Sequence, residues 1–248
     1  MFSRFFAMEF AYPLSHFLHR IVLSLFADWR VQGRHNVPPT GPLIVVANHQ
    51  SYMDPPLLAA SLPRRLYFLA TKDIFRDPII SAFLRNYRAF RLEGRGNDLR
   101  AFHWAFGLLK RGEAIALFPE GRRNPGCMGR AVSPGVATLA LRARAPILPV
   151  GIVGTERLKP LWRVVLPTGA LTVTIGQPFM LPSIDGKIGR DRLNSFTDMI
   201  MERVANLLPE QYRGDYHTTG GTRYEGGPRY PNVVGDDQGL REGASPRS

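Results

Sequence analysis

Four apolar runs recur along this chain of 248 residues, at Leu43 to Ala47, Leu66 to Ala70, Ala114 to Phe118 and Ile147 to Val153. Each is too short for an ordinary helix and lacks the polar alternation of a half-exposed strand, which is the pattern of strands covered on both faces. Helical periodicity fills the gaps between them, at about 55–62, 74–85, 97–111 and 135–144. Strand and helix therefore alternate, and the expectation is an α/β fold with a mainly parallel central sheet flanked by helices. A short strand from Trp29 to Gly33 precedes the first run, and the turn Pro38-Pro39-Thr40-Gly41-Pro42 leads into it. The stretch from Trp162 to Gln177 predicts two further strands about the Pro167-Thr168-Gly169 turn. A closing helix over about 190–208 carries Leu193, Phe196, Ile200, Val204 and Leu207 on one face.

The ends read differently from this middle. Residues 1–28 are rich in Phe and Leu but are interrupted by Arg4, Glu9, His16, His19 and Arg20, so the longest clean apolar run, Ile21 to Ala27, falls well short of the ~20 residues a membrane span needs. Glu9 and Pro13 also break the pattern of a secretory signal, and the segment is expected to stay on the mature chain. Leu14, Phe17, Leu18, Ile21 and Leu25 recur at helical spacing. They predict an amphipathic helix, lying either on a membrane interface or on the protein's own core. Residues 29–210 form the expected catalytic domain. From 211 to 248 glycine, proline and balanced charge dominate, with too little apolar surface to offset ordering entropy, and a flexible tail is expected.

Net charge is +12, and Ser61 to Arg144 holds sixteen Lys/Arg against six Asp/Glu, which accounts for +10 of it. Such a concentrated field suits phosphorylated ligands or an anionic membrane surface. Nucleic acid is not expected, because zinc-finger spacing, an RNP-type aromatic string and a basic helix leading into heptads are all missing. The single cysteine, Cys127, excludes an intrachain disulfide framework and a multi-cysteine metal cluster, and is compatible with a reducing compartment. No metal site is expected.

Two strings inside this basic region carry the chemistry. Asn48-His49-Gln50-Ser51-Tyr52-Met53-Asp54 follows the first long apolar run, and Phe118-Pro119-Glu120-Gly121-Arg122-Arg123-Asn124 follows the third. His49 sits where an open α/β sheet places its ligand crevice, and a histidine can accept a proton near neutral pH when a carboxylate holds its tautomer. Asp54 is five residues on, about 140° away around a continuous helix, so a turn must join the two. Asp54 followed by Pro55 and Pro56 also reads as an N-cap for a helix starting at Pro56, and both roles stay open for it. In the second string Gly121 lets backbone approach a ligand, and Arg122 and Arg123 suit phosphate oxygens. Glu120 is either a surface partner for an arginine or a group orienting Arg123 or a substrate hydroxyl. Between the strings, Arg88, Phe90, Arg91 and Arg95 lie on a predicted strand leaving toward a loop.

These strings resemble the first and third blocks of the glycerolipid acyltransferase family typified by 1-acylglycerol-3-phosphate acyltransferases, Asn-His-x4-Asp and Phe-Pro-Glu-Gly-Thr-Arg-Ser. The likeness runs over about Val31 to Ile152 and includes Tyr67 to Phe75, Ala89 to Leu92 and Ala145 to Val150. It implies His49 as general base and Asp54 as its orienting partner. It implies that Phe118, Pro119, Glu120, Gly121, Arg122 and Arg123, with Arg88, Phe90, Arg91 and Arg95, bind the phosphorylated acceptor. The chain departs from the family pattern at Arg122 for Thr, Asn124 for Ser and Arg88 for Gly.

The implied activity is transfer of a fatty acyl group from acyl-coenzyme A or acyl carrier protein to the free hydroxyl of lysophosphatidic acid, giving phosphatidic acid. The alternatives are another lyso-lipid or glycerol 3-phosphate as acceptor. The thioester is a substrate, and no bound cofactor is expected. Acyl carrier protein and the cytoplasmic face of a membrane, engaged peripherally or monotopically, are the implied partners. A hydrolase or phosphotransferase is disfavoured because G-x-S-x-G, G-x-x-x-x-G-K-[ST] and H-E-x-x-H are missing. A basic membrane-binding module, in which His49 and Asp54 only shape a helix start, is the non-catalytic rival.

Overall fold

In a computed structural model the described residues are 16–71, 74–75, 81, 84, 87, 89–92, 98–131, 134–158, 163, 166–184 and 186–216. Seven strands form one sheet in the order β1-β7-β6-β2-β5-β3-β4. They are β1 (Ala27–Gln32), β2 (Leu43–Ala47), β3 (Leu66–Thr71), β4 (Phe90–Leu92), β5 (Ala114–Leu117), β6 (Ile147–Val153) and β7 (Gly169–Ile175). From β6 to β4 every neighbouring pair is parallel; β7 runs antiparallel to β6, and β1 pairs parallel with β7. The mainly parallel sheet expected from the apolar runs is therefore present, with two reversed strands at one edge.

The described helices are α1 (residues 16–26), α2 (Asp54–Ser61), α3 (Leu99–Lys110), α4 (Gly135–Ala143) and α5 (Arg190–Ala205). All five residues of β2 are fully buried, because alternate side chains meet different layers. Leu43, Val45 and Ala47 pack with Leu23 of α1 and Leu57 and Leu58 of α2. Ile44 and Val46 pack with Leu108 of α3, Val136 and Ala140 of α4, and Ile200 and Val204 of α5. Burying a side chain of this kind is worth ~1.5–3 kcal/mol, so the central strand is fixed from both faces.

One expectation changes, and two reach beyond the described residues. The stretch from Trp162 to Gln177 supplies one strand among the described residues, β7, which pairs with both β6 and β1; Arg163 lies in a 3-10 turn, and 162, 164 and 165 lie outside the described residues. Of the helix expected at about 74–85, only 74–75, 81 and 84 fall among the described residues. The tail expected from 211 starts with structure: Glu210–Tyr212 and Gly214–Tyr216 are 3-10 turns. Tyr212 is buried there, because its carbonyl accepts from Met128 N–H and its hydroxyl donates to Glu156. Residues 217–248 lie outside the described ones.

Sheet order decides which loops meet. β6, β2 and β5 are adjacent and parallel, so their C-terminal ends open at one edge of the sheet, the place where open α/β sheets hold ligands. Ala47 pairs with Val150, and Val46 with Leu117, which brings the residues after β2 beside Ile152 and Glu120. The chain leaves β6 through Gly154, at φ 98°, in the left-handed region that favours glycine. A Cβ there would stand 2.0 Å from the Ala170 carbonyl oxygen of β7. Gly154→Ala is expected to cost about 2 kcal/mol or more of stability, read as a lower urea midpoint at unchanged slope.

Candidate active site

The helix after β2 begins in an unusual way, and that beginning frees Asp54. Its N-cap is Met53, Asp54 is the first helical residue, and Pro55 and Pro56 follow. Prolines carry no N–H, so the first turn offers few donors for a capping side chain. The expected N-cap role for Asp54 is not what the structure shows. Its carboxylate turns back instead: Oδ2 accepts from the backbone N–H of Gln50 at 2.5 Å and of Ser51 at 2.8 Å, and lies 2.7 Å from His49 Nδ1. The turn required by the five-residue spacing is thus built around the carboxylate itself.

Asp54 is fully buried, while the His49 side chain is 15% exposed. An ionised carboxylate only accepts, so Nδ1 carries the proton and donates it, leaving Nε2 as the basic nitrogen. Phe118 stacks on the imidazole with ring centroids 4.3 Å apart and planes 24° from parallel, which fixes the ring's face.

The second string holds His49 through its backbone. Glu120 Oε1 accepts from His49 N–H at 2.8 Å, and Asn124 N–H donates to the His49 carbonyl at 2.7 Å. Glu120 Oε2 accepts from Gly129 N–H at 2.8 Å and from the Asn124 amide. Glu120 is fully buried, so the expected surface ion pair does not describe its place, and its oxygens are engaged by these donors. Burial pushes its carboxyl above the usual range, while the donors from Asn124, Gly129 and His49 pull it back.

The remaining expected residues divide between two places. Pro119 is half-buried in the turn, and Gly121, at φ 62°, closes it with its N–H on the Phe118 carbonyl. Arg122 and Arg123 are exposed, and the Arg123 guanidinium lies 3.6 Å from the centre of the Tyr52 ring, which joins the second string to the first by a cation–π contact. Phe90 and Arg91 lie on β4 at the outer edge of the sheet, three strands from β2 or about 14 Å by strand spacing, with Phe90 against Trp104 at 5.0 Å. β4 ends at the same edge of the sheet as β2 and β5, since all run parallel. Arg88 and Arg95 lie outside the described residues.

Several residues of the site were not singled out from sequence. Asn48 grips the backbone of Ile152 on both sides, accepting from its N–H at 2.8 Å and donating to its carbonyl at 2.9 Å. Gln50 donates to the same carbonyl and accepts from Gly126 N–H. Thr155, fully buried just past β6, donates from its hydroxyl to Asp54 Oδ1 at 2.5 Å. Asn48 and Gln50 lie inside the recognised string, so their spacing to His49 was the available signal. Thr155 had none, because it stands 101 residues from its partner.

The assembled site is a buried carboxylate, an oriented imidazole with one free basic nitrogen, and two exposed guanidiniums on the adjoining loop. Among the described residues no cluster of metal-ligating side chains is present. The sequence pattern of the acyltransferase family matches residues 28–153, which spans β1 to β6 and both strings. This chain belongs to the acyltransferase family. It is 24% identical over 189 residues to a 1-acyl-sn-glycerol-3-phosphate acyltransferase of Bacillus subtilis, covering 76% of this chain and 92% of that one. It is 29% identical over 186 residues to a Chlamydomonas reinhardtii protein with the same activity in its name, covering 73% of this chain but 53% of that one. The crystal structure of the 1-acyl-sn-glycerophosphate (LPA) acyltransferase PlsC from Thermotoga maritima superposes with a TM-score of 0.61 at 28% identity, covering 82% of this chain and 81% of that one.

If Glu120 anchors the site, its removal should loosen both strings together. Glu120→Ala is expected to lower folding stability by about 2–3 kcal/mol by urea unfolding, since it strands buried donors, and to abolish most activity.

Proposed function

We propose that the chain transfers a fatty acyl group from acyl-coenzyme A or acyl carrier protein to the free hydroxyl of lysophosphatidic acid, giving phosphatidic acid and the free thiol. The observation that carries this reading is the 2.7 Å contact between His49 Nδ1 and Asp54 Oδ2, which assigns the ring proton to Nδ1 and leaves Nε2 to act as the base. Nε2 takes the acceptor's hydroxyl proton as its oxygen attacks the thioester carbonyl, and Asp54 stabilises the imidazolium. The tetrahedral centre then collapses, the C–S bond breaks, and the departing sulfur takes the proton back. The reaction needs no enzyme nucleophile, so Cys127, exposed in the loop after the second string, has no part in it.

Arg123 and Arg122 supply exposed positive charge beside this base, which suits the acceptor's phosphate. The named activity of the Bacillus and Thermotoga relatives supports the same acceptor. Purified protein given labelled acyl-coenzyme A and lysophosphatidic acid should yield diacyl product and free thiol in equal amounts. His49→Ala should reduce the rate by about 10²–10⁴-fold. Equal turnover by the two proteins would remove the base from the reading, and glycerol 3-phosphate as the better acceptor would replace the lyso-lipid.

The same reading places the protein on an anionic membrane surface. Leu23 of α1 is fully buried and His16 bonds the Ala59 carbonyl of α2 at 3.0 Å, so one face of α1 docks on the body. The other face leaves Phe17 61%, Leu18 51%, Leu25 71% and Phe26 48% exposed. Among the described residues no helix is long and apolar enough to cross a membrane, so this face would lie along the interface. Phe17→Glu with Leu25→Glu should cut co-sedimentation with phosphatidylglycerol-containing vesicles at least fivefold while the fold, by circular dichroism, stays intact.

A further inference from the structure

The Asp54 carboxylate has two oxygens with different duties, and only one of them was explained by the motif. Oδ2 faces His49 and two backbone N–H groups, all within the turn that Asp54 itself closes. Oδ1 faces away from that turn, toward the end of β6, where the Thr155 hydroxyl donates to it at 2.5 Å. We propose that Thr155 is a positioning residue for acyl transfer: its hydroxyl fixes the rotation of the Asp54 carboxylate, and through it the tautomer and aim of the His49 imidazole. This inference rests on the acyl-transfer reading above and adds a residue outside both strings.

The surroundings show that Thr155 is held to this task. The end of β6 is tied to the first string at Ile152 by Asn48 and Gln50. Gly154 then turns at φ 98°, with no room for a side chain against the Ala170 carbonyl. Thr155 opens a 3-10 turn that closes with Leu158 N–H on its carbonyl. Both Asp54 and Thr155 are fully buried, so water cannot replace the hydroxyl as a partner for Oδ1. With that donor gone, a buried carboxylate oxygen is left unsatisfied, and the carboxylate can twist to share what donors remain. The Nδ1 to Oδ2 bond would then lose its geometry.

The titratable groups around this carboxyl are His49 on its own turn and, one backbone link away, Glu120 after β5. Glu156, next to Thr155, is turned instead to Gly154 N–H and the Tyr212 hydroxyl. A hydrogen bond to a carboxylate stabilises its charged form, and most strongly when no imidazolium compensates it.

The test compares Thr155→Val, which keeps the shape and deletes the hydroxyl, with Thr155→Ser, which keeps the hydroxyl and deletes the methyl. In the acyl-coenzyme A and lysophosphatidic acid assay, Thr155→Val is expected to lose about 10- to 100-fold in kcat with both KM values within twofold. Thr155→Ser is expected to stay within about threefold of the parent. NMR gives a readout free of turnover: the His49 Nδ1 proton should move upfield in Thr155→Val and stay put in Thr155→Ser. Unchanged kcat and Nδ1 resonance in Thr155→Val would overturn the proposal, as would a loss in Thr155→Ser as large as in Thr155→Val. If Thr155→Val does not fold, Thr155→Ala takes its place as the hydroxyl deletion, and an unchanged kcat and Nδ1 resonance there would overturn the proposal. His49→Ala, assayed alongside, separates the two levels: its inactivity leaves a negative Thr155 result to count against this inference only, whereas its full activity removes the acyl-transfer mechanism as well.

Discussion

A buried negative charge organises this molecule's working edge. Asp54 is withdrawn from solvent, and a carboxylate in that position is tolerable only where donors surround it. It has four: the His49 ring, the N–H groups of Gln50 and Ser51, and the Thr155 hydroxyl. Satisfying one side chain therefore fixes the turn after β2, the imidazole and the first turn after β6 at once. The prolines that open α2 contribute by withholding the N–H groups that would otherwise compete for the same oxygens.

A second buried carboxylate does for the backbone what Asp54 does for the ring. Glu120 accepts from His49 N–H and from two donors of its own loop, so the strings after β2 and β5 move as one body. The cost of burying it is visible as a carboxyl pushed up by desolvation and held down by its donors. The exposed cations are left on the outside of this frame, with Arg123 resting on Tyr52, where a phosphate could reach them. Rigid interior and open cationic rim together form a site that presents the His49 imidazole beside two exposed guanidiniums.

Much of this was readable in the chain. The apolar runs at Leu43 to Ala47 and Ile147 to Val153 coincide with β2 and β6, because a strand covered on both faces must be apolar at every position. The pairing of His49 with Asp54 was also foreshadowed, since Pro55 and Pro56 forced a turn between them. The reading failed where a side chain had two local uses. Glu120 looks like a surface carboxylate among arginines, and its burial follows only from the Asn124 and Gly129 donors curling back over it. The region from Trp162 to Gln177 was expected to hold two strands about a turn; its one described strand, β7, pairs with the preceding strand β6 and with β1, and only the second of these partners is far away in sequence.

The sequence by itself determined the local choices: which segments are strands or helices, where the chain must turn, and which residues carry a proton or a charge. Periodicity, proline and glycine act within a few residues, so those choices are written in short windows. The strand order β6-β2-β5 and the meeting of Asp54 with Thr155 were decided only by tertiary structure. Contacts between residues 101 apart depend on how the sheet's crossovers pack its two faces, a collective outcome that no single window of residues contains.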